Sequence, residues 1–218
     1  MKKFSFKNFA KGFDKHINTS IRQIKKHRED VRDISEYFIV DNSTVIDIGC
    51  STGTLIQNIY DNSIKADVKY IGLDYESAMF MDDNRSIDYI CNDICSYELP
   101  DDISFTAALF TLQFIPYAKK VHVLRKIYNS MMEGSGMVIS EKIYSSCTKT
   151  DNILQSLYYQ HKRKNYKCDD ILDKESDLRS MLYLNTTNEL ISNLTLAGFE
   201  KIDSIWQQHN FISFLAIK

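Results

Sequence analysis

A short run of small residues in the first quarter of the chain has the composition of a nucleoside-binding turn. The run Gly-Cys-Ser-Thr-Gly at 49–53 follows the apolar run Thr44–Ile48 and precedes Leu55, which predicts a strand, a tight turn and the start of a helix. Glycine has no Cβ and tolerates positive φ, so backbone N–H groups of such a turn can approach a ligand closely. Ser51 stands where the dinucleotide fingerprint G-x-G-x-x-G needs its second glycine, so that fingerprint is not met.

Two carboxylates extend this turn into a larger pattern. Asp47 lies within the first apolar run, and Asp74 closes the next apolar run at 68–73. A carboxylate at the end of the second strand can accept two hydrogen bonds from a ribose diol. The pattern D-x-G-x-S-x-G with a following acidic residue therefore predicts a nucleoside site that includes Asp47, Gly49, Ser51, Gly53 and Asp74.

The elements that position these residues alternate between strands and helices. Strands are predicted at 45–48, 70–73, 87–92, 105–110, 137–140, 201–207 and 211–217, and helices at 31–38, 55–60, 77–81, 119–132 and 188–196. Gly134 and Gly136 are expected to end the helix at 119–132 in a glycine turn. The alternation predicts an α/β fold, a Rossmann-like doubly wound sheet of seven mostly parallel strands with a C-terminal antiparallel hairpin strand. A ligand is then expected beyond the carboxyl ends of the strands.

Two segments stand apart from this alternation. Residues 1–30 are locally basic, with phenylalanines at helix-like intervals, and predict an amphipathic helix that forms a lid over the cleft. An RNA-binding arm is the alternative for this segment. Residues 141–187 are expected to form inserted helices that cap the cleft mouth. The length of 218 residues fits a single domain spanning 1–218.

Composition excludes several classes of function. The net charge is −2, which gives the chain as a whole no electrostatic preference for nucleic acid. The five cysteines form no C-x-x-C pair, and no metal site is predicted. Their odd number and the lack of a secretory signal favour reduced thiols and a cytoplasmic protein. No apolar run approaches the roughly 18 residues of a membrane span, so no membrane association is expected.

The turn and its carboxylates resemble the nucleoside site of class I S-adenosylmethionine-dependent methyltransferases. A more specific set of motifs, spread over nearly the whole chain, resembles the carboxy-S-adenosylmethionine synthase family. These motifs are Phe-Thr-Leu-Gln-Phe-Ile-Pro at 110–116, Ser-Glu-Lys at 140–142 and Trp-Gln-Gln-His-Asn-Phe at 206–211. The resemblance implies the chemistry of that bacterial family, in which S-adenosylmethionine and prephenate give a carboxylated sulfonium used to modify wobble uridine in tRNA. It also implies S-adenosyl-L-methionine as the cofactor and a homodimer formed through the inserted helices.

Family positions that bind the nucleoside are carried over one at a time. The Gly-Cys-Ser turn of the family matches 49–51, its ribose-binding aspartate matches Asp74, and Tyr75 stands where it has an asparagine. The family pair that lies along the adenine matches Asp93 and Ile94. The cofactor-binding residues predicted from the pattern and the resemblance together are Asp47, Gly49, Cys50, Ser51, Gly53, Asp74, Tyr75, Asp93, Ile94 and Leu109.

Three positions in addition to Tyr75 depart from the family pattern. Ile24 stands in place of a tyrosine and Leu109 in place of an asparagine. Glu175 aligns with the arginine that engages the extra carboxylate in the family, and a glutamate there would repel an anion. Lys174 and Arg179, in neighbouring positions, are the candidates to replace that arginine.

Three functions stay open from the sequence. The first is methyl transfer from S-adenosylmethionine to a small-molecule or RNA acceptor, with Glu141 and His209 as candidate catalytic residues. The alternative for Glu141 is a structural ion pair with Lys142. The alternative for His209 is a turn residue without a catalytic role. The second function is carboxy-S-adenosylmethionine synthesis, for which the Lys-Arg-Lys cluster at 162–164 is the candidate prephenate pocket. The third is a non-catalytic binding module whose basic segments contact RNA or a protein partner.

Overall fold

The long apolar runs form the central strands of one mixed sheet. The computed structural model describes residues 12–81 and 84–218. Every residue of the first strand is buried, as expected for a parallel strand with helices on both faces. The strands are β1 (Thr44–Ile48), β2 (Lys69–Asp74), β3 (Ile87–Cys91), β4 (Ile103–Leu109), β5 (Met131–Tyr144), β6 (Asn185–Thr186), β7 (Lys201–Gln208) and β8 (Phe211–Ile217).

The strand order creates a crevice above β1. The sheet runs β3-β2-β1-β4-β5-β8-β7, and the two-residue strand β6 pairs with β5. β1 is parallel to β2 and to β4, whereas β8 is antiparallel to both of its neighbours. This arrangement confirms the predicted doubly wound sheet with its antiparallel C-terminal strand, and β6 adds a short eighth strand. Because the strand order reverses between β1 and β4, a ligand crevice is expected at their carboxyl ends.

Helices cover both faces of the sheet. Side chains alternate along β1, so Val45 joins an apolar cluster with Val31 and Ile56, while Ile46 joins one with Leu124 and Leu194. The helices are α1 (Phe13–Ser20), α2 (Ile24–Ser35), α3 (Thr54–Asn62), α4 (Tyr117–Ser130), α5 (Thr148–Lys162), α6 (Cys168–Arg179) and α7 (Thr187–Ala197), with 3₁₀ turns at Ser77–Met79 and Leu112–Phe114.

The glycines after α4 do not end that helix, so this prediction was wrong. The helix ends at Ser130, and β5 begins at the next residue. Gly134 donates its N–H to the carbonyl of Lys218 at 3.0 Å, so the C-terminal residue extends the sheet along this segment. A Cβ on Gly136 would overlap the ring of Phe38, which explains the small residue there.

The predicted lid and cap segments have different boundaries in the structure. Residues 1–11 of the lid predicted at 1–30 lie outside the described residues, and the rest of that segment contains α1 and the first part of α2. The helix predicted at 31–38 begins earlier, at Ile24, and ends at Ser35. The cap region at 141–187 contains the end of β5, then α5 and α6. Within the described part of the chain, no helix is long and apolar enough to cross a membrane.

Candidate functional site

A cleft with a volume of about 560 Å³ opens at the carboxyl ends of β1, β2 and β4. This volume is typical of small-molecule sites. One end is formed by the β1–α3 turn and the end of β2, and the other by side chains from α1, β5, α5 and α6. Of the predicted nucleoside-binding residues, Gly53 lies beside the cleft, and the following nine line it: Asp47, Gly49, Cys50, Ser51, Asp74, Tyr75, Asp93, Ile94 and Leu109.

The β1–α3 turn depends on its glycines. Gly49 has φ 76° and Gly53 has φ 78°, in the left-handed region that favours glycine. A Cβ would overlap Thr111 at the first position and Tyr89 at the second. The N–H groups of Gly49 and Cys50 donate to the carbonyl of Leu73 at 2.7 and 3.1 Å, which fixes the turn against the end of β2.

Asp74 is oriented by the same turn. One carboxylate oxygen accepts the N–H of Ser51 at 2.9 Å, and the other accepts the N–H of Glu76 at 3.0 Å. Each oxygen keeps a further lone pair, so this carboxylate can accept two hydroxyl groups from a ligand. Burial raises the pKa of Asp74. The Ser51 hydroxyl is buried and has no hydrogen-bond partner among the described residues, which leaves a donor for a ligand.

The floor of the nucleoside end is strongly desolvated. Asp47 is 3% exposed, and burial raises its pKa to about 7, against the opposing effect of Arg28. Burial also raises the pKa of the Cys50 thiol, which keeps it protonated.

At the adenine end, Asp93 accepts the N–H of Cys95 at 2.8 Å. Lys126 donates to the carbonyl of Tyr97 at 2.9 Å and to that of Ile94, which holds this loop against α4.

Asp14 is a site residue that the sequence did not single out. It accepts hydrogen bonds from the hydroxyls of Thr52 at 2.7 Å and Thr54 at 3.0 Å, and it pairs with Arg28 at 3.0 Å. These contacts fasten α1 to the β1–α3 turn. Asp14 lies 38 residues before Thr52 in the chain, so no local pattern in the sequence indicates this role.

Three lysines from three different elements line the opposite end of the cleft. Lys142 comes from β5, Lys162 from α5 and Lys174 from α6. The ammonium groups of Lys142 and Lys162 lie 5.4 and 5.3 Å from the centroid of the Tyr158 ring. Burial lowers the pKa of all three lysines, and with the charge of Lys162 it brings the pKa of Lys174 to about 8. The sequence cluster at 162–164 contributes only its first residue, since the other two are exposed.

An aromatic wall faces these lysines. The ring of Phe211 makes edge contacts with Phe110 at 5.6 Å and with Tyr158 at 5.2 Å, measured between centroids. All three rings line the cleft. This end therefore combines cationic groups with apolar surface, which suits an organic anion that carries a ring.

Glu175 lies behind the lysines, at the position where the resemblance placed an arginine. Its carboxylate is 3.8 Å from the Lys142 ammonium group and 3.8 Å from the Arg179 guanidinium group. It also accepts hydrogen bonds from Gln155 at 3.1 Å and from the hydroxyl of Tyr159. Of the two predicted replacements for the arginine, Lys174 lines the cleft, and Arg179 has a side chain that is 71% exposed.

Both catalytic candidates from the sequence lie outside the cleft. Glu141 is 1% exposed and pairs with the equally buried Lys120 at 3.5 Å, rather than with Lys142. Burial raises the pKa of Glu141 to about 7. His209 lies in the β7–β8 turn with φ 51°, and its ring centroid is 6.4 Å from that of His161. Neither residue is brought together with the nucleoside turn.

Ile24, which stands where the family has a tyrosine, is buried in α2.

Comparison with known proteins identified full-length sequence relatives. No family model matches the chain. The carboxy-S-adenosyl-L-methionine synthase of a Nitratiruptor species is 32% identical over 226 residues, which cover 100% of this chain and 94% of the relative. The enzyme of the same name from Staphylococcus epidermidis is 27% identical over 221 residues, covering 99% of this chain and 96% of the relative.

Solved structures share the fold at low sequence identity. The methyltransferase chain matched in the Haloferax volcanii complex with the activator Trm112 superposes with a TM-score of 0.65 at 14% identity, covering 100% of this chain and 99% of that chain. Other matched structures were solved with S-adenosylmethionine or S-adenosylhomocysteine bound.

Proposed function

This chain belongs to the carboxy-S-adenosyl-L-methionine synthase family, and on that premise we propose that it converts S-adenosylmethionine into the carboxylated sulfonium, with prephenate as the carboxyl donor. It is an S-adenosylmethionine-dependent transferase with the methyltransferase fold, and S-adenosylmethionine is its cofactor. The identity of the second substrate is part of the proposal.

The nucleoside end of the cleft fits S-adenosylmethionine. The backbone of Gly49 lines the cleft, the buried hydroxyl of Ser51 has no partner among the described residues, and Asp74 has free acceptor capacity for a ribose diol. Asp93 can accept a hydrogen bond from the exocyclic amine, while Ile94 offers apolar contact to the adenine ring. When bound, the cofactor supplies a sulfonium methyl group. The protein orients that group and excludes water from it.

The cationic end of the cleft is the observation that supports an anionic second substrate such as prephenate. Lys142, Lys162 and Lys174 line the same end of the cleft, and burial disfavours the charged form of each ammonium group. An anion bound between them would offset that cost through charge-assisted hydrogen bonds. The adjacent rings of Phe110 and Phe211 would pack against the ring of prephenate.

Methyl transfer to an anionic acceptor is the second candidate. It is supported by the absence of a family feature, because Glu175 stands at the position where the family resemblance places the arginine that engages the extra carboxylate. In this alternative the same lysines would hold the acceptor, and S-adenosylhomocysteine would be the product.

Mass spectrometry of the nucleoside products distinguishes these functions. Incubation of the purified protein with S-adenosylmethionine and prephenate should yield a nucleoside heavier by one carboxylate. Lys162→Met should abolish that product, whereas Lys149→Met, an exposed lysine on the same helix α5, should not. Formation of S-adenosylhomocysteine instead would support the second candidate. Unchanged S-adenosylmethionine at every protein concentration would contradict the proposal.

The wider context of the reaction is also proposed from the resemblance. We propose that the product serves wobble-uridine modification of tRNA, and that the protein is cytoplasmic. We further propose that 1–30 acts as a lid, that 141–187 acts as a cap, and that a homodimer forms through the cap helices. The exposed Ile153 and Leu157 on α5 support that interface, and light scattering would measure the mass of the assembly.

A further inference from the structure

The three cleft lysines are held by different surroundings. Lys174 donates to His16 at 2.6 Å, which ties it to α1. Lys162 is buried against the rings of Tyr158 and Tyr166. The ammonium group of Lys142 lies 3.8 Å from the Glu175 carboxylate, within ion-pair distance. The position of Lys142 therefore depends on that acid.

Glu175 is itself fixed from several sides. Gln155 and Tyr159, both on α5, donate to its two carboxylate oxygens, and Arg179 approaches from the next turn of α6. The Glu175 side chain is only 12% exposed and that of Lys142 only 14%, so solvent screens their interaction less than it would at the surface. A carboxylate that is fixed in this way and shielded from most solvent is suited to hold a flexible ammonium group in one place.

We infer that Glu175 is a positioning residue, which holds the Lys142 ammonium group at the cleft wall so that Lys142, Lys162 and Lys174 bind the anionic group of the second substrate together. This inference rests on the proposed function. It also explains the departure from the family pattern at Glu175. Lys142 lines the cleft and faces the anion, whereas the Glu175 carboxylate lies on the far side of Lys142 and does not line the cleft. Anion recognition in this chain is then built from lysines of β5, α5 and α6 in place of an arginine on α6.

The electrostatic balance of the site supports this role. In addition to Glu175, the charged and titratable groups that act on Lys142 or lie beside it are Asp151, Tyr158, Lys162 and Arg179. Burial lowers the pKa of Lys142, Glu175 and Asp151 raise it, and Arg179 lowers it. Loss of the Glu175 charge would remove the larger of the two charge attractions on Lys142, which would then turn away or lose its proton.

Binding of a simple dianion separates this inference from the reaction itself. We expect malonate to bind to the protein saturated with S-adenosylhomocysteine, as measured by isothermal titration calorimetry. Glu175→Gln should weaken malonate binding at least 10-fold and leave S-adenosylhomocysteine affinity within 2-fold of the wild type. Asp173→Asn, an exposed acid on the same helix, should change neither affinity. Because no turnover is needed, these results stand even if prephenate is not the substrate.

A double-mutant cycle tests whether Glu175 acts through Lys142. In the Lys142→Met background, Glu175→Gln should weaken malonate binding by a clearly smaller factor than in the wild type, and the remaining effect reflects the action of the Glu175 charge on Lys162. If Glu175 had only a structural role, Glu175→Gln would instead lower the affinities for both malonate and S-adenosylhomocysteine, or lower the thermal midpoint of unfolding. In that case Glu175→Asp, which keeps the charge, should not recover malonate affinity. The inference is overturned if Glu175→Gln leaves malonate affinity unchanged, or if its effect is equally large without Lys142.

Discussion

Replacement of Asp74 by asparagine tests the nucleoside end of the cleft with the smallest change in shape. The two carboxylate oxygens accept one backbone N–H each, from Ser51 and from Glu76, and their remaining lone pairs face the cleft. An asparagine keeps one oxygen and replaces the other with an NH₂ group. That group cannot accept a ribose hydroxyl, and it would face a backbone N–H as a second donor.

The size of the effect follows from these lost acceptors. A hydrogen bond to a charged group contributes about 1.5–3 kcal/mol. Loss of one such bond to the ribose corresponds to a dissociation constant for S-adenosylhomocysteine that is roughly 10- to 150-fold higher. The repelled backbone N–H also loosens the β1–α3 turn, so the upper part of this range is expected.

Isothermal titration calorimetry with S-adenosylhomocysteine measures this change directly. Asp88→Asn is a matched control, because Asp88 lies on the neighbouring strand β3 and pairs only loosely with the exposed Lys69 at 3.8 Å. The control should retain wild-type affinity. If Asp74→Asn binds within 2-fold of the wild type, the ribose does not depend on this carboxylate, and the assignment of the nucleoside end is wrong.

Three further predictions concern other parts of the structure. Gly49→Ala should lower the free energy of unfolding in urea by at least about 1 kcal/mol, and Thr111→Ala should recover only part of the loss because the positive φ remains. The KM for prephenate should rise as the pH passes about 8, because Lys174 then loses its charge. Lys174→Met should remove most of this rise. A KM of the wild type that does not change with pH would contradict the prediction. Lys120→Met should destabilise the protein by about 3–5 kcal/mol in urea unfolding, because it leaves Glu141 buried without its partner. Adding Glu141→Gln should restore only part of the stability, since the Tyr183 carbonyl and the Asn185 side chain also lose a donor.

The nucleoside half of the site could be predicted because its signals are local. The glycine turn, the buried strand before it and the acid that ends β2 are each encoded in a few consecutive residues. Parallel pairing of β1 with β2 then brings Asp74 beside Ser51, as the family pattern requires. The alternation of elements likewise predicted the mostly parallel sheet with its antiparallel C-terminal strand, whereas the order of the strands came from the structure.

The anion-binding half could be predicted only in part, because its members are far apart in the chain. The sequence offered Lys162 and Lys174 as separate candidates and gave no signal for Lys142. The three lysines come together only after α5 and α6 fold over the end of β5. The position of Glu175 suggested repulsion of an anion, since a sequence does not show that a lysine from β5 lies in front of it.

The role of Glu141 depended on a similar long-range contact. Consecutive residues of a strand point to opposite faces, so Glu141 and Lys142 cannot both face the cleft. Lys142 faces it, and Glu141 is directed to the buried Lys120 of α4, which also donates to Asn185 and to the carbonyl of Tyr183. This network anchors the chain where it returns from the cap.

The geometry of the whole cleft is tested most directly by a crystal structure of the protein with S-adenosylhomocysteine and malonate. We expect the ribose hydroxyls within hydrogen-bond distance of Asp74, the sulfur directed away from that end, and malonate bound by Lys142, Lys162 and Lys174. A nucleoside that leaves the turn at 49–51 empty, or malonate bound away from the three lysines, would contradict the proposed division of the cleft into a nucleoside end and an anion end.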